Sequence, residues 1–303
     1  MPVPTRDELR RGILYIIAAV FVFAVINALV KYEEETYSVA DVVFFRCTFA
    51  LIFSLGLVAR HGGIAALKTH RPLEHAGRSA LQFISMVSIY IAFHLMPLAD
   101  AVAITFSNPL FLTVLSIPVL GEKVGRHRWG AVLVGFLGVL IMVQPGAGVF
   151  SIAALLALVN ASVGASVTIA LRRMSLTERS VTLCTYQALG TTVLSTLLLP
   201  FGWMTPSWQG AIGLAAIGLA SGLGQFLWTQ AFRLAPAAVL APFNYTTMIW
   251  AIGFGFFMWG EVPTPAVLLG TAVVVASGLY ILYRETVRRA VQPATLAAAS
   301  SGT

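Results

Sequence analysis

Charge is scarce in this chain. Its 303 residues include 19 Lys+Arg and 12 Asp+Glu, only 10% charged in all, against about 25% in a soluble globular protein. That is too little charge to coat a soluble domain of this size, which excludes a soluble enzyme and a disordered tail protein. Cysteine is nearly absent. Cys47 and Cys184 lie far apart inside apolar runs, which excludes a disulfide scaffold and reads as two buried free thiols. There is no phosphate-binding glycine loop, so direct ATP drive is not encoded. No Asp or Glu falls in the middle of an apolar run, which argues against proton coupling through a central carboxylate. His61, His70, His75 and His127 fall between apolar runs and His94 at the end of one. None has metal-ligand spacing or a nucleophile beside it, so no enzyme, cofactor or metal is expected.

Apolar length is what the chain has instead, with 58% hydrophobic residues. A membrane helix needs about 20 apolar residues. Ten apolar segments can be marked, at 12–30, 42–59, 79–95, 99–120, 129–143, 150–171, 181–201, 210–232, 237–259 and 266–283. The breaks between them carry Gly, Pro or charge. They are long and unbroken, unlike the short alternating segments of a membrane barrel. The expected class is therefore an all-α polytopic membrane protein with ten transmembrane helices. With the N-terminus in the cytoplasm, every Lys and Arg except Lys31 and Arg46 falls on the inner side. The net charge of +7 is thus a topology signal and an attraction to anionic lipid, and no nucleic-acid partner is expected. The first run is long enough to span and needs no reading as a cleaved signal peptide.

The chain also repeats itself. A slide of 139 residues lays 92–99 on 231–238 and, without a gap, Gly121-Glu122 on Gly260-Glu261. One residue later Gly130 falls on Gly270 and Gly138 on Gly278. Upstream, a slide of 141 brings Lys31 onto Arg172 and Phe45-Arg46 onto Tyr186-Gln187. Five helices per copy is an odd number, so the second copy is inverted in the bilayer. That arrangement is a transporter architecture with its site near the midplane between the halves.

The stretch Met96-Pro97-Leu98-Ala99-Asp100, then Asn108-Pro109, Gly121-Glu122-Lys123 and Trp129-Gly130, resembles the EamA repeat of the drug/metabolite transporter superfamily. A second, similar copy is carried by 238–242, Gly260-Glu261 and Gly270. The resemblance spans about 12–284 and implies two EamA repeats, at 12–145 (helices 1–5) and 150–284 (helices 6–10). The remainder, 285–303, is expected as a cytoplasmic tail, disordered where its small and polar residues run from Gln292. The resemblance also implies secondary transport of small organic metabolites, without fixing which. Small multidrug members carry a membrane-embedded Glu in the first helix, and this chain has none there.

Polar groups in hydrocarbon are costly and so are candidates for function. Lys31 and Arg46 are the two cations that topology leaves unexplained. They read either as an attraction for an anionic ligand group or as partners of Asp41 or Glu33 to Glu35. Asn27 shares a helix face with Lys31. Thr105, Ser107 and Asn108 in the fourth helix, and Asn244 and Tyr245 in its repeat mate, read as cavity-lining groups, with Pro109 and Pro242 as the kinks. Asn160, Gln187, Gln225, Trp228, Gln82 and Tyr90 complete the set, the aromatics as stacking surfaces. The Gly-Glu turns read as structural end caps. The expected function is secondary transport by alternating access across the inner membrane, export favoured over uptake. The partners are a small-molecule substrate (amino-acid-like, vitamin-like or nucleoside-like) and the bilayer, and a single chain suffices. A lipid-linked flippase component is the alternative from another class.

Overall fold

The computed structural model describes residues 5–120, 125–143, 152–175, 177–235 and 237–300. Among them the regular structure is helical, with no strand. Twelve α-helices follow in order: α1 (Arg6–Glu33), α2 (Val39–Arg60), α3 (Pro72–Leu95), α4 (Leu98–Thr105), α5 (Asn108–Leu120), α6 (Arg126–Val143), α7 (Ile152–Met174), α8 (Ser180–Ser195), α9 (Trp208–Leu234), α10 (Ala237–Asn244), α11 (Thr247–Trp259) and α12 (Pro265–Ser300). Eight helical stretches are long and apolar enough to cross a membrane, one of them α4 and α5 together, and Pro265–Ile281 is a shorter apolar one. Large apolar side chains such as Leu14, Leu133, Leu137, Val193, Leu197, Phe257 and Leu269 face outward. A water-soluble protein would bury them, and a multi-pass membrane protein turns them to lipid.

Local chemistry sets the helix ends. Thr5 and Glu8 form a reciprocal capping box on α1. Ser38 and Ser207 cap α2 and α9 by accepting from the backbone N–H groups of Asp41 and Gly210. Pro72 opens α3, where its missing N–H costs nothing. Gly260 closes α11 in the left-handed region, at φ 68°, which favours glycine.

Two of the expected helices are each broken into two. The fourth apolar run divides at Phe106-Ser107 and the ninth at Tyr245-Thr246, the same point at the 139-residue offset. In the first copy Pro109 has no N–H to give and its ring would collide with the carbonyl of Thr105. In the second the equivalent position is Met248, and hydroxyls hold the break instead. Thr246 donates to Phe243 O at 2.6 Å and Thr247 to Asn244 O at 2.7 Å. Ser107 and Thr105 do the same in the first copy, bonding Ile104 O and Val102 O, each at 2.7 Å. The prolines therefore flank the interruptions: Pro109 sits in the first turn of α5 and Pro242 within α10.

Packing follows the repeat. The slide maps α1–α6 onto α7–α12. α1 lies along α9, and α7 lies along α3, its equivalent pair. The pair α2 and α9 is matched by α8 and α3, while α2–α8 and α6–α12 map onto themselves. A pseudo-twofold axis thus runs through the molecule. Phe106 and Tyr245, the equivalent residues at the two breaks, meet edge to face with ring centres 5.3 Å apart. At α6–α12 the contact is backbone on backbone: a Cβ on Gly138 would stand 2.9 Å from the carbonyl oxygen of Gly270. Small residues permit such close approach in a membrane.

One expectation is corrected. His75 and Arg78, which the apolar runs leave in the segment before the third, are buried in the first turns of α3, His75 stacked on Tyr186 and Arg78 donating to Leu183 O. Gly121-Glu122 and Pro145-Gly146 lie outside the described residues.

Candidate functional site

A cavity opens between α2, α3, α8 and α9. It holds about 50 Å³ for water-sized occupants, room for a few waters and no more. Most of its wall is made of repeat-equivalent positions. Arg46 faces Gln187, Cys47 pairs with Ala188 and Ala50 with Thr191, all at the 141-residue offset. Gln82 with Ser221 and Met86 with Gln225 follow at 139. The offsets agree with the helices themselves, since α2 and α8 begin 141 residues apart and α3 and α9 end 139 apart. The cavity therefore straddles the pseudo-twofold axis, and each copy supplies half.

Arg46 is its one charged residue among those that line it. Nε donates to Ser221 Oγ at 2.9 Å, a terminal nitrogen reaches the Met86 sulfur, and the guanidinium lies 5.4 Å from the ring centre of Tyr90. Tyr90 is itself 3% exposed. No carboxylate among the described residues is within ion-pair distance of Arg46. Asp41, a partner considered from the sequence, is occupied with its own helix cap and the backbone N–H of Met204. A guanidinium has five donors in a planar fork suited to a carboxylate, and here a sulfur and a hydroxyl occupy only part of them. Gln187 adds a buried Oε1 with no hydrogen-bond partner. The site offers one cation and three neutral amides, Gln82, Gln187 and Gln225. Both cysteines, read as spectators, are free and line it.

The remaining candidates lie elsewhere. Lys31 is a latch residue. Its ammonium pairs with Glu261 at 2.5 Å, donates to Met96 O at 3.1 Å and sits 5.2 Å from the ring centre of Trp259. Glu261 also accepts from the backbone N–H of Leu98, the first residue of α4, at 2.9 Å. The Gly-Glu turn of the second repeat, read as an end cap, therefore ties the end of α1 to the start of α4. Asn160 is spent on Ser85, donating to its carbonyl at 2.8 Å and its hydroxyl at 2.9 Å. Asn108 donates to Ala161 O at 2.9 Å. These amides clamp α3 and α5 to α7. Thr105 and Ser107 are satisfied at their own helix break, as described above. Trp228 packs between Phe23 and Phe232. Asn27 is half-buried on α1, away from the cavity lining. Asn244 Oδ1 and Tyr245 Oη are buried without hydrogen-bond partners beside the second break.

Glu34, which the sequence offers only within the run Glu33 to Glu35 as a partner for the two cations, forms no ion pair among the described residues. It follows α1 at 4% exposure, and neither carboxylate oxygen has a hydrogen-bond partner. Its burial is a property the run conceals.

An all-helical, lipid-facing shell with a duplicated half and a cavity on its pseudo-twofold axis defines a membrane transporter rather than an enzyme. The chain belongs to the EamA-like transporter family, whose model matches residues 10–144 and again 151–283. It is 30% identical over 273 residues to the pseudopaline exporter CntI of Pseudomonas aeruginosa (strain UCBPP-PA14), covering 89% of this chain and 95% of the relative. It is 30% identical over 255 residues to the S-adenosylmethionine uptake transporter of Rickettsia bellii, covering 84% and 87%. With the riboflavin transporter of Rhizobium johnstonii it shares 27% over 286 residues, covering 93% and 94%. A solved crystal structure shares its fold at a TM-score of 0.64, with 16% identity and coverage of 89% of this chain and 95% of that one.

Proposed function

We propose that this transporter carries a small polar metabolite bearing an anionic group, a carboxylate above all, through the cavity between α2, α3, α8 and α9. The observation that carries this reading is Arg46, a cation in a cavity wall of neutral amides with no acidic partner among the described residues. Holding a guanidinium in the membrane interior without a counter-ion is costly, and an anionic substrate supplies that counter-ion while the amides bond its neutral parts. The relatives are named for small metabolites, which supports the class of cargo.

The two halves exchange conformations across a midplane site as inverted five-helix repeats, with ten spans, both ends of the chain in the cytoplasm and the inner membrane as the location. The pseudo-twofold packing and the one-sided basic residues support this arrangement. A cavity with space for only a few waters has to widen to take a metabolite, which fits an occluded step of that cycle. Export is the proposed direction, as the exporter relative is named; uptake is favoured instead by the S-adenosylmethionine relatives.

The test is a thermal-shift screen of purified parent and Arg46→Gln protein against amino acids, vitamins and nucleosides, followed by flux into liposomes. Carboxylate-bearing compounds should stabilise the parent, and Arg46→Gln should weaken their binding by about 2–3 kcal/mol, the loss of a charge-assisted pair. Equal binding of the same compounds by both proteins would refute the role of Arg46.

A further inference from the structure

The carboxylate of Glu34 is 4% exposed with both oxygens unpartnered. Around it, every charged group has other business. Lys31, one turn back on α1, gives its ammonium to Glu261 and to Met96 O. Tyr90 of α3 lies within electrostatic reach of it, and over that ring sits Arg46 of α2, its guanidinium bonded to Ser221 and Met86. From α4, Asp100 lies in the field of the Lys31–Glu261 pair, with its own Oδ1 buried and unpartnered. Glu33 turns to α9, against Gly213, and Glu35 accepts from Trp259 Nε1 of α11. An ionised Glu34 would be a buried negative charge without a hydrogen-bond partner, beside a Lys31 ammonium that is already paired. Burial accordingly pushes its carboxyl up to about 9, against the attraction of the Lys31 ammonium.

We infer that Glu34 is a proton-binding site, protonated while the Lys31–Glu261 latch closes this end of the molecule and deprotonated when the latch opens it to water. The balance is simple. On opening, the O–H bond breaks and the proton goes to water, leaving a hydrated carboxylate. On closing, one proton is taken up. Each opening and closing of this end is then linked to one proton, whichever metabolite is carried, so the inference stands apart from the role assigned to Arg46.

The experiment uses purified parent and Glu34→Gln protein in lipid nanodiscs, with protons as the probe. Infrared spectra of the parent at pH 7 should show the carbonyl stretch of a protonated carboxyl that titrates away with a midpoint near 9, and Glu34→Gln should lack it. A folded-state carboxyl raised from 4.5 to about 9 stabilises fully below 4.5 and loses that contribution as pH rises through 9. The unfolding midpoint of Glu34→Gln should therefore climb relative to the parent between pH 5 and 9. Amide exchange of residues 96–100, corrected for its intrinsic rise with pH, should accelerate above pH 9 in the parent alone. No titrating band in the parent overturns the site even if the variant fails to fold. A midpoint difference that does not move with pH, or equal acceleration of exchange in both proteins, overturns its link to opening.

Discussion

At the scale of residues, the two cations that topology leaves over part company. Arg46 faces a cavity, while Lys31 is consumed by Glu261, with side-chain exposures of 11% and 19%. A pair this buried is fragile to half-removal. Lys31→Ala leaves a carboxylate stranded against the N-terminus of α4, and Glu261→Ala leaves an ammonium under Trp259. Each should destabilise by about 3 kcal/mol or more, whereas Lys31→Ala with Glu261→Ala together, which strands neither charge, should cost clearly less than the two singles summed. Thermal unfolding of the three variants decides this, and strict additivity of the singles would show that the two groups do not act as a pair. The sequence told that Lys31 and Arg46 were exceptional, because a one-sided distribution of basic residues exposes any that breaks it. It could not tell them apart. Their partners lie 230 and 175 residues away, and nothing local encodes such contacts. The same holds for Glu34, whose burial is a property of the neighbours that close over it.

At the scale of elements, the all-helical membrane class was legible because the length of the apolar runs has no soluble explanation, and their breaks carried visible turn residues. The interruptions within two of them were not. Hydrophobicity continues across Phe106 and Tyr245, and the hydroxyls that hold the breaks are ordinary helix residues when read in line. The glycines show a similar limit. Gly130 and Gly270 are repeat equivalents, yet a Cβ on Gly130 meets nothing within 4 Å, while on Gly270 it would lie 2.6 Å from the Gly138 carbonyl oxygen. Alanine should therefore act oppositely at the two. Gly270→Ala and Gly138→Ala should each cost about 1–3 kcal/mol by forcing α6 and α12 apart, and Gly130→Ala should be neutral or stabilising by up to about 1 kcal/mol. Unfolding midpoints in detergent measure all three, and an innocuous Gly270→Ala would mean that α6 and α12 are not in backbone contact.

At the scale of the whole molecule, the duplication was the most informative signal in the sequence, and it foretold more than the repeat count. The weak upstream match that set Arg46 on Gln187 is the match that places both in one cavity wall, because equivalent residues near a pseudo-twofold axis must meet. What the duplication could not foretell is which contacts tie the two copies together. The Lys31–Glu261 latch joins α1 of the first copy to the turn after α11 of the second and anchors α4 between them. Tyr37 with Ser207, and Asp41 with the N–H of Met204, tie further parts of the two copies together at the same end. Alternating access through the axial cavity requires these contacts to part in every cycle. In a protein lacking Cys47 and Cys184, cysteines at 31 and 261 joined by a short cleavable bis-maleimide should hold that end closed. Substrate flux should then fall to background and return when the linker is cleaved, with binding measured from the other end retained. Undiminished flux through the cross-linked protein would place the pathway elsewhere and leave the latch a purely structural contact.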